Sequence, residues 1–553
     1  MYSRRARHSL KRRRTGVVSL ATALVLIGLS VAAYATTRTN APSPNATTTI
    51  SPRPRTLAGV DGVQSPQIIA ENLRPGTTAW RIPANDNPNV IQGFANTTYA
   101  SSGQGVKFYV SSHSVRYRIV AYRMGWYQGL GARQIWSSPR EVGRVQPMCP
   151  VAHSTNMVSC TNWKRSLTVT VTPQFVPGDY LFKLIAGPRA ASYVPLTIWD
   201  PQSTATYVVM NRSFVEQGWN AYGGYSFYQG VGPCILDSNT YPPCNRARVV
   251  SFDRPYNTGF GASDFIANEY PLVQLMEREG LNVTYITDVT LSEHPQLLQS
   301  HRVLLSLDHD ETWTYSERAA VARAVAGGMN VVYFGAAAMV RHVRLQPSPF
   351  GPDSEEVDYR NALEDPLNGV ASPLQVTGNT WDSPPTNWSP IPQIGVQYSG
   401  YLTPGASAAM VIYAPSSWVF AGTGLRKGTT LPGVIASDFD HVISSTLTPS
   451  NLEVLAHSPI PINSATVSGS TWGGVSYSDM VYFTNPRSGA GVIDTGNNVW
   501  IGDLHACPAS NRHCPSPVLV AITNNILRLF GRGPAGHFEP ARSNLATLKP
   551  LGS

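Results

Sequence analysis

The sequence predicts an α/β protein in two folded parts, an all-β sandwich followed by a parallel-sheet domain. Three observations carry that reading. At 553 residues the chain is too long for one ordinary hydrophobic core. Between about 76 and 200 it runs through V-K-F-Y-V-S-S, Y-R-I-V-A-Y-R, L-T-V-T-V, D-Y-L-F-K-L-I and V-P-L-T-I-W, short alternating segments broken by Gly and Pro with no helical period. After Trp199-Asp200-Pro201 the rhythm changes to apolar strands alternating with helix-period segments.

The elements follow in order. Residues 1–35 carry the basic cluster Arg4, Arg5, Arg7 and Lys11–Arg14, then an apolar run from Val17 to Ala35 that ends in Ala33-Tyr34-Ala35. This is the pattern of an export signal with a small-x-small cleavage site, and the run is also long enough to stay as a membrane anchor with its basic side in the cytoplasm. Either outcome predicts an extracytoplasmic body, secreted or held by one N-terminal helix. Residues 36–75 are rich in Thr, Pro and Ser and read as a tether. Residues 76–200 form the expected sandwich, of the immunoglobulin-like kind, with Pro177-Gly178-Asp179 as a turn feeding one strand.

Residues 201–540 form the expected α/β domain. Strands are predicted at 206–210, 283–286, 303–307 and 330–335, with helices over Phe265–Glu279 and about 315–326. The segment 350–460 is rich in Pro, Ser and Thr and reads as an irregular or β insertion. The strand-like V-I-A-S-D-F-D and M-V-Y-F, then the helix P-S-P-V-L-V-A-I-T-N-N-I-L-R-L-F, close the domain.

Composition narrows the partners. The net charge of +9 comes from residues 1–55, which hold ten of the 42 Lys and Arg and none of the 33 acids. The body is therefore neutral, and no nucleic-acid footprint is expected. Six cysteines fall in three close pairs, Cys149 with Cys160, Cys234 with Cys244, and Cys507 with Cys514, none with C-x₂-C spacing. In an exported chain that reads as three disulfides rather than a zinc cluster. A G-x-S-x-G elbow, a Walker loop and a dinucleotide fingerprint are all absent, and a cysteine nucleophile is not expected.

In an open parallel sheet, ligands bind beyond the carboxyl ends of the strands. Asp308-His309-Asp310-Glu311 follows the predicted strand 303–307 directly. Thr314 and Glu317 make a capping box for the next helix, so Asp310 and Glu311 have an alternative role as helix-start charges. The aromatic loops 218–228 and 250–256 can reach the same edge.

Six segments extend the reading beyond pattern: R-M-G-W-Y-Q-G-L-G-A-R (123–133), N-A-Y-G-G-Y-S-F-Y (220–228), S-F-D-R-P-Y (251–256), D-H-D-E-T-W (308–313), G-T-G-L (422–425) and L-P-G-V-I-A-S-D-F-D (431–440). In this order, over about 80–530, they resemble the N,N-dimethylformamidase large-subunit family. The resemblance implies a domain like class I glutamine amidotransferases and a mononuclear iron (Fe³⁺) held by two tyrosines and a glutamate. It also implies a nearby histidine and cleavage of a small amide. Carried over, the glutamate and histidine fall on Glu311 and His309, and one tyrosine on Tyr256. Trp219 stands where the family's other tyrosine does, which leaves Tyr228, then Tyr222, as the second candidate ligand. Asp253, Arg254, Asp438 and Asp440 are expected around the site, with Arg254 orienting a substrate oxygen or pairing with Asp253 or Asp438. Hard phenolate and carboxylate donors suit a high-charge cation, and His309 is the candidate base. The alternative is a non-catalytic surface protein on the same fold, structural or binding an envelope glycan. A homo-oligomer is compatible with either.

Overall fold

The structure is a computed structural model that describes residues 63–232, 245–262, 264–467, 475–505 and 516–548. The apolar run at 17–35 and most of the tether lie outside the described residues. Among the described residues no helix is long and apolar enough to cross a membrane. The fold is mixed α/β, dominated by sheets with few helices.

Strands β1 (Ile91–Ala95), β2 (Gly105–Ser112), β3 (Arg116–Met124), β4 (Ala132–Ser137), β5 (Leu167–Thr170), β6 (Gly178–Gly187) and β7 (Ala190–Ile198) build the first part. They form two sheets, one ordered β1-β2-β5 and the other containing β7-β6-β3-β4. Each sheet turns alternate residues inward, as the period-2 pattern requires. Val106, Phe108 and Val110 of β2 thus share a core with Tyr117, Ile119, Phe182, Leu184, Val194 and Leu196.

Of the three expected disulfides, the described residues contain one. Cys149 and Cys160 are bonded, with Cα atoms 4.6 Å apart. The other two expected pairings, Cys234 with Cys244 and Cys507 with Cys514, lie outside the described residues.

The second part is organised on a seven-stranded sheet. Its strands are β8 (Tyr207–Asn211), β9 (Val283–Thr287), β10 (Val303–Leu307), β11 (Asn330–Phe334), β12 (Glu453–Ile460), β13 (Ser476–Thr484) and β14 (Gly491–Asp494), in the order β9-β8-β10-β11-β14-β13-β12. The first five run parallel; β13 and β12 close the sheet antiparallel. Val209, Leu305, Val332 and Ile493 face helices α1 (Tyr270–Arg278) and α3 (Ser516–Phe530), while Val208, Leu304, Val331 and Val492 face helix α2 (Tyr315–Ala326). Both faces are covered, which is why these strands read as unbroken apolar runs. The expected helix over Phe265–Glu279 is in part a wider π-type turn at Phe265–Glu269, and regular α-helix begins at Tyr270. Pro271, which has no N–H, sits in that first turn, where none is needed. The 350–460 segment supplies further strands, including Gln397–Leu402, Thr430–Ile435 and Asp438–His441.

A charged knot joins the two parts. Arg123 of β3 and Glu277 of α1 are both fully buried, with Nη2 donating to Oε1 at 2.7 Å and Nη1 to Oε2 at 3.0 Å. Tyr285 donates to the same carboxylate at 2.9 Å, and Asn72 also donates to it. A Cβ on Gly125 would stand 2.9 Å from Glu277 Oε2, so the glycine of R-M-G-W-Y is a spatial requirement.

A second buried network lies on β12 and β13. Asp479 accepts from His457 Nδ1 at 2.6 Å and from His441 Nδ1 at 3.0 Å. Burial alone would raise this carboxyl, but the two imidazoles outweigh it and hold the group down at about 2. A carboxyl depressed in the fold stabilises it fully above the unfolded range near 3.9, and that contribution is lost as pH falls through about 2. Asp479→Asn is therefore expected to lose about 2 kcal/mol near neutrality, a deficit that shrinks toward pH 2. Urea unfolding as a function of pH measures it.

Candidate functional site

Strand β10 ends at Leu307, and the chain turns sharply at Asp308, whose φ is +45°. The turn is clamped from two sides. Asp308 N donates to Phe334 O of β11 at 3.1 Å, and a Cβ on Gly335 would fall 1.6 Å from Asp308 O, so only glycine lets β11 end against this turn. Arg212, 2% exposed, reaches Asp308 Oδ2 at 3.2 Å and Glu269 Oε1 at 3.3 Å, and donates to His309 O at 3.2 Å. The Asp308 carboxyl is raised to about 7 by burial, with Arg212 opposing.

The four ionisable groups then separate by role. Asp310 turns inward, accepting from Ser306 Oγ at 2.6 Å through its side chain and from Trp313 Nε1 at 2.8 Å through its carbonyl. The capping box forms as expected, with Thr314 and Glu317 bonding reciprocally at the start of α2. Glu311 is not part of that helix start. It faces His309, with Nε2 and Oε2 3.0 Å apart, while Arg360 Nη2 lies 3.9 Å from Oε1. Burial raises the Glu311 carboxyl to about 7, with the Arg341 and Arg360 charges pulling the other way. Burial likewise lowers His309 below its ordinary 6.5, against the pull of Asp438. On its other side His309 Nδ1 stands 3.9 Å from Asp438 Oδ2, an oxygen fixed by Ser437 at 2.9 Å and Asn498 at 3.0 Å. Tyr398 completes this side by bonding Asp438.

An aromatic wall bounds the group. Tyr228 stacks on Trp219 with ring centroids 3.6 Å apart, Arg360 lies over the Tyr228 ring at 4.2 Å, and Trp219 is 6.4 Å from the His309 ring. The structure thus brings Tyr228, His309, Glu311 and Asp438 together with Trp219, Tyr398, Arg341 and Arg360.

The remaining sequence candidates stand elsewhere. The Tyr256 hydroxyl is engaged by Glu216 and Gln217, and the carboxylates that act on it are Glu216, Asp288 and Glu269. Tyr222 bonds Gln92 of the first part at 3.2 Å. Arg254 pairs with neither Asp253 nor Asp438, contrary to expectation. Its guanidinium grips the loop 217–225 through Gln217 O, Tyr222 O and Tyr225 O, and so holds the segment that presents Trp219. Asp253 accepts from Ser348, and burial raises it to about 7. Asp440 accepts Ala337 N with both oxygens, at 2.9 and 3.0 Å, a structural post rather than a site wall. Sequence reading missed Arg212, Arg341, Arg360 and Tyr398. Arg341 follows the carboxyl end of β11 by a few residues, and that position was the available signal.

The N,N-dimethylformamidase beta subunit-like, C-terminal family matches residues 118–515, well over half of the chain. The chain belongs to this family. Membership in the dimethylformamidase-like family points to a hydrolase-type function in general terms. No curated protein matches it. One similar solved structure is a Paenibacillus sp. cycloisomaltooligosaccharide glucanotransferase complexed with cycloisomaltoheptaose, at 10% identity and TM-score 0.13. It covers 24% of this chain and 17% of the other, too little to carry any argument.

The residues of this dimethylformamidase-like chain do not fit the iron set that the resemblance implied. Trp219, whose indole offers no lone pair in the ring plane, stands at one tyrosine position. Tyr256 is turned to Glu216 and Gln217, and two guanidinium groups flank Glu311. Among the described residues no three of His, Cys, Asp and Glu are grouped to hold a metal ion.

Proposed function

We propose that this dimethylformamidase-like protein hydrolyses the C–N bond of a small linear amide outside the cytoplasm, using His309 and Glu311. The observation that carries the reading is the 3.0 Å pairing of His309 Nε2 with Glu311 Oε2 at the carboxyl end of a central parallel strand. Neutral His309 takes a proton from water as its oxygen bonds to the amide carbon. Protonated Glu311 then supplies a proton to the departing nitrogen as the C–N bond breaks. Asp438, held by Ser437, Asn498 and Tyr398, orients the imidazole and stabilises its charged form. The family's amidotransferase-like fold and the sandwich ahead of it supply the frame, and the basic, apolar leader supports export.

The test is amine release from a panel of linear formamides and acetamides by purified protein. Turnover is expected in wild type and lost in His309→Ala. Silence across the panel, with binding of an envelope glycan that survives Glu311→Ala, would move the chain to the non-catalytic reading. Elemental analysis is an independent check: since the donor set is not assembled, iron well below one atom per chain is expected, and a stoichiometric value would overturn the metal-independent mechanism.

A further inference from the structure

The arginines beside Glu311 are more than its counter-charges. Arg360 is 7% exposed, and only its Nε is satisfied, donating to Asp358 Oδ2 at 2.8 Å. Both terminal nitrogens, Nη1 and Nη2, are buried without a hydrogen-bond acceptor. Arg341 spends Nη1 on Asn379, yet its Nε is also buried and without an acceptor. Glu311 Oε1, 3.9 Å from Arg360 Nη2, is too far to accept from it and is itself without a partner. Buried guanidinium N–H groups are costly to leave unmade, and a forked pair of them matches the two oxygens of a carboxylate.

Position adds to chemistry. Arg341 N donates to Glu311 O at 2.7 Å, where the short strand Arg341–His342 pairs with Thr312–Trp313, so Arg341 is anchored directly beside the glutamate. Arg360 is fixed over the Tyr228 ring, and its own backbone adopts φ +56°, a strained conformation held in place by the Asp358 contacts. The two guanidinium groups thus stand fixed beside Glu311, with N–H groups that its carboxylate does not take up. Stabilising a carbonyl oxygen in the reaction needs fewer donors than the three N–H-bearing nitrogens left unpaired here.

We propose that the amide this site takes carries a carboxylate, gripped by the Arg360 fork and Arg341 Nε, which sets the scissile bond against His309 and Glu311. The inference rests on the hydrolase reading above and narrows it to amides of small amino or other carboxylic acids, against neutral amides.

The experiment compares N-formylglycine with N-propylformamide, near-isosteric amides that differ in the carboxylate. Two readouts are used, kcat/KM for turnover and titration calorimetry for binding. Wild type is expected to prefer formylglycine at least tenfold. Arg360→Gln and Arg341→Gln are each expected to cut that preference tenfold or more, chiefly through KM. Testing both variants guards against one that fails to fold. If neither amide is turned over, yet formylglycine binds, propylformamide does not, and the variants abolish binding, the carboxylate site stands and the hydrolase reading falls. Equal turnover of both amides, lowered alike by the variants, overturns the carboxylate and keeps the hydrolase. If formylglycine is neither turned over nor bound, the carboxylate site is overturned outright.

Discussion

Glu277→Ala is expected to unfold at markedly lower urea than wild type, with about 3–5 kcal/mol of stability lost. The reason is asymmetry. Glu277 and Arg123 are both removed from water, so deleting the carboxylate leaves a guanidinium buried without its counter-charge. Arg123 would keep Pro177 O, at 3.0 and 3.1 Å, and the Tyr127 hydroxyl at 2.9 Å, but these are neutral acceptors. Tyr285 would lose its acceptor as well, and Asn72 would keep only Ile68 O, at 2.9 Å. Replacing both charges together, as Arg123→Met with Glu277→Leu, is expected to cost much less than the sum of the single changes, because no lone buried charge remains. A double-mutant cycle by urea unfolding measures the coupling. Additive costs would show that the knot is replaceable packing. The prediction also gives R-M-G-W-Y-Q-G a physical role: it joins the two parts of the chain rather than touching the reaction.

How legible this was in the sequence depended on the range of each interaction. The strands at 206–210, 283–286, 303–307 and 330–335 were readable because a strand covered on both faces must be apolar throughout, and each has its counterpart in the sheet. The capping box at Thr314 and Glu317 was readable because it spans three residues. His309 and Glu311 were reachable through the rule that places sites at strand ends. Arg360 and Tyr398 were not, since both come from the Pro-rich stretch whose local pattern says nothing about where it folds back. Tyr256 shows a further limit. Its motif can be found in the chain, but its hydroxyl meets Glu216 and Gln217 rather than Glu311, and no spacing encodes that. Trp219 was visible as a departure from the family's pattern, and the stack on Tyr228 shows what the indole does instead of ligating.

Glu311→Gln is expected to lower kcat by about two to four orders of magnitude, the range over which a positioned proton donor contributes. Glutamine keeps the shape and the neighbours of the side chain but has no proton to give to a leaving nitrogen. The pH profile distinguishes that role from simple packing. In wild type His309 must be neutral, and because burial lowers it below 6.5 the acid limb of kcat/KM lies below that value. Glu311 must be protonated, and because burial raises it to about 7 the activity declines above about 7. The product is an optimum on the acid side of neutrality. In Glu311→Gln the residual activity should lose the alkaline limb and keep the acid one, since His309 still titrates. A glutamate that only packed against His309 would leave both limbs in place while lowering the rate. The same profile bears on Asp438: Asp438→Asn removes the carboxylate that favours charged His309, so its acid limb should move to still lower pH, and because that carboxylate also helps hold the Glu311 carboxyl up, the alkaline limb should move down with it. An acid limb that stays in place instead would put the titrating base on another group.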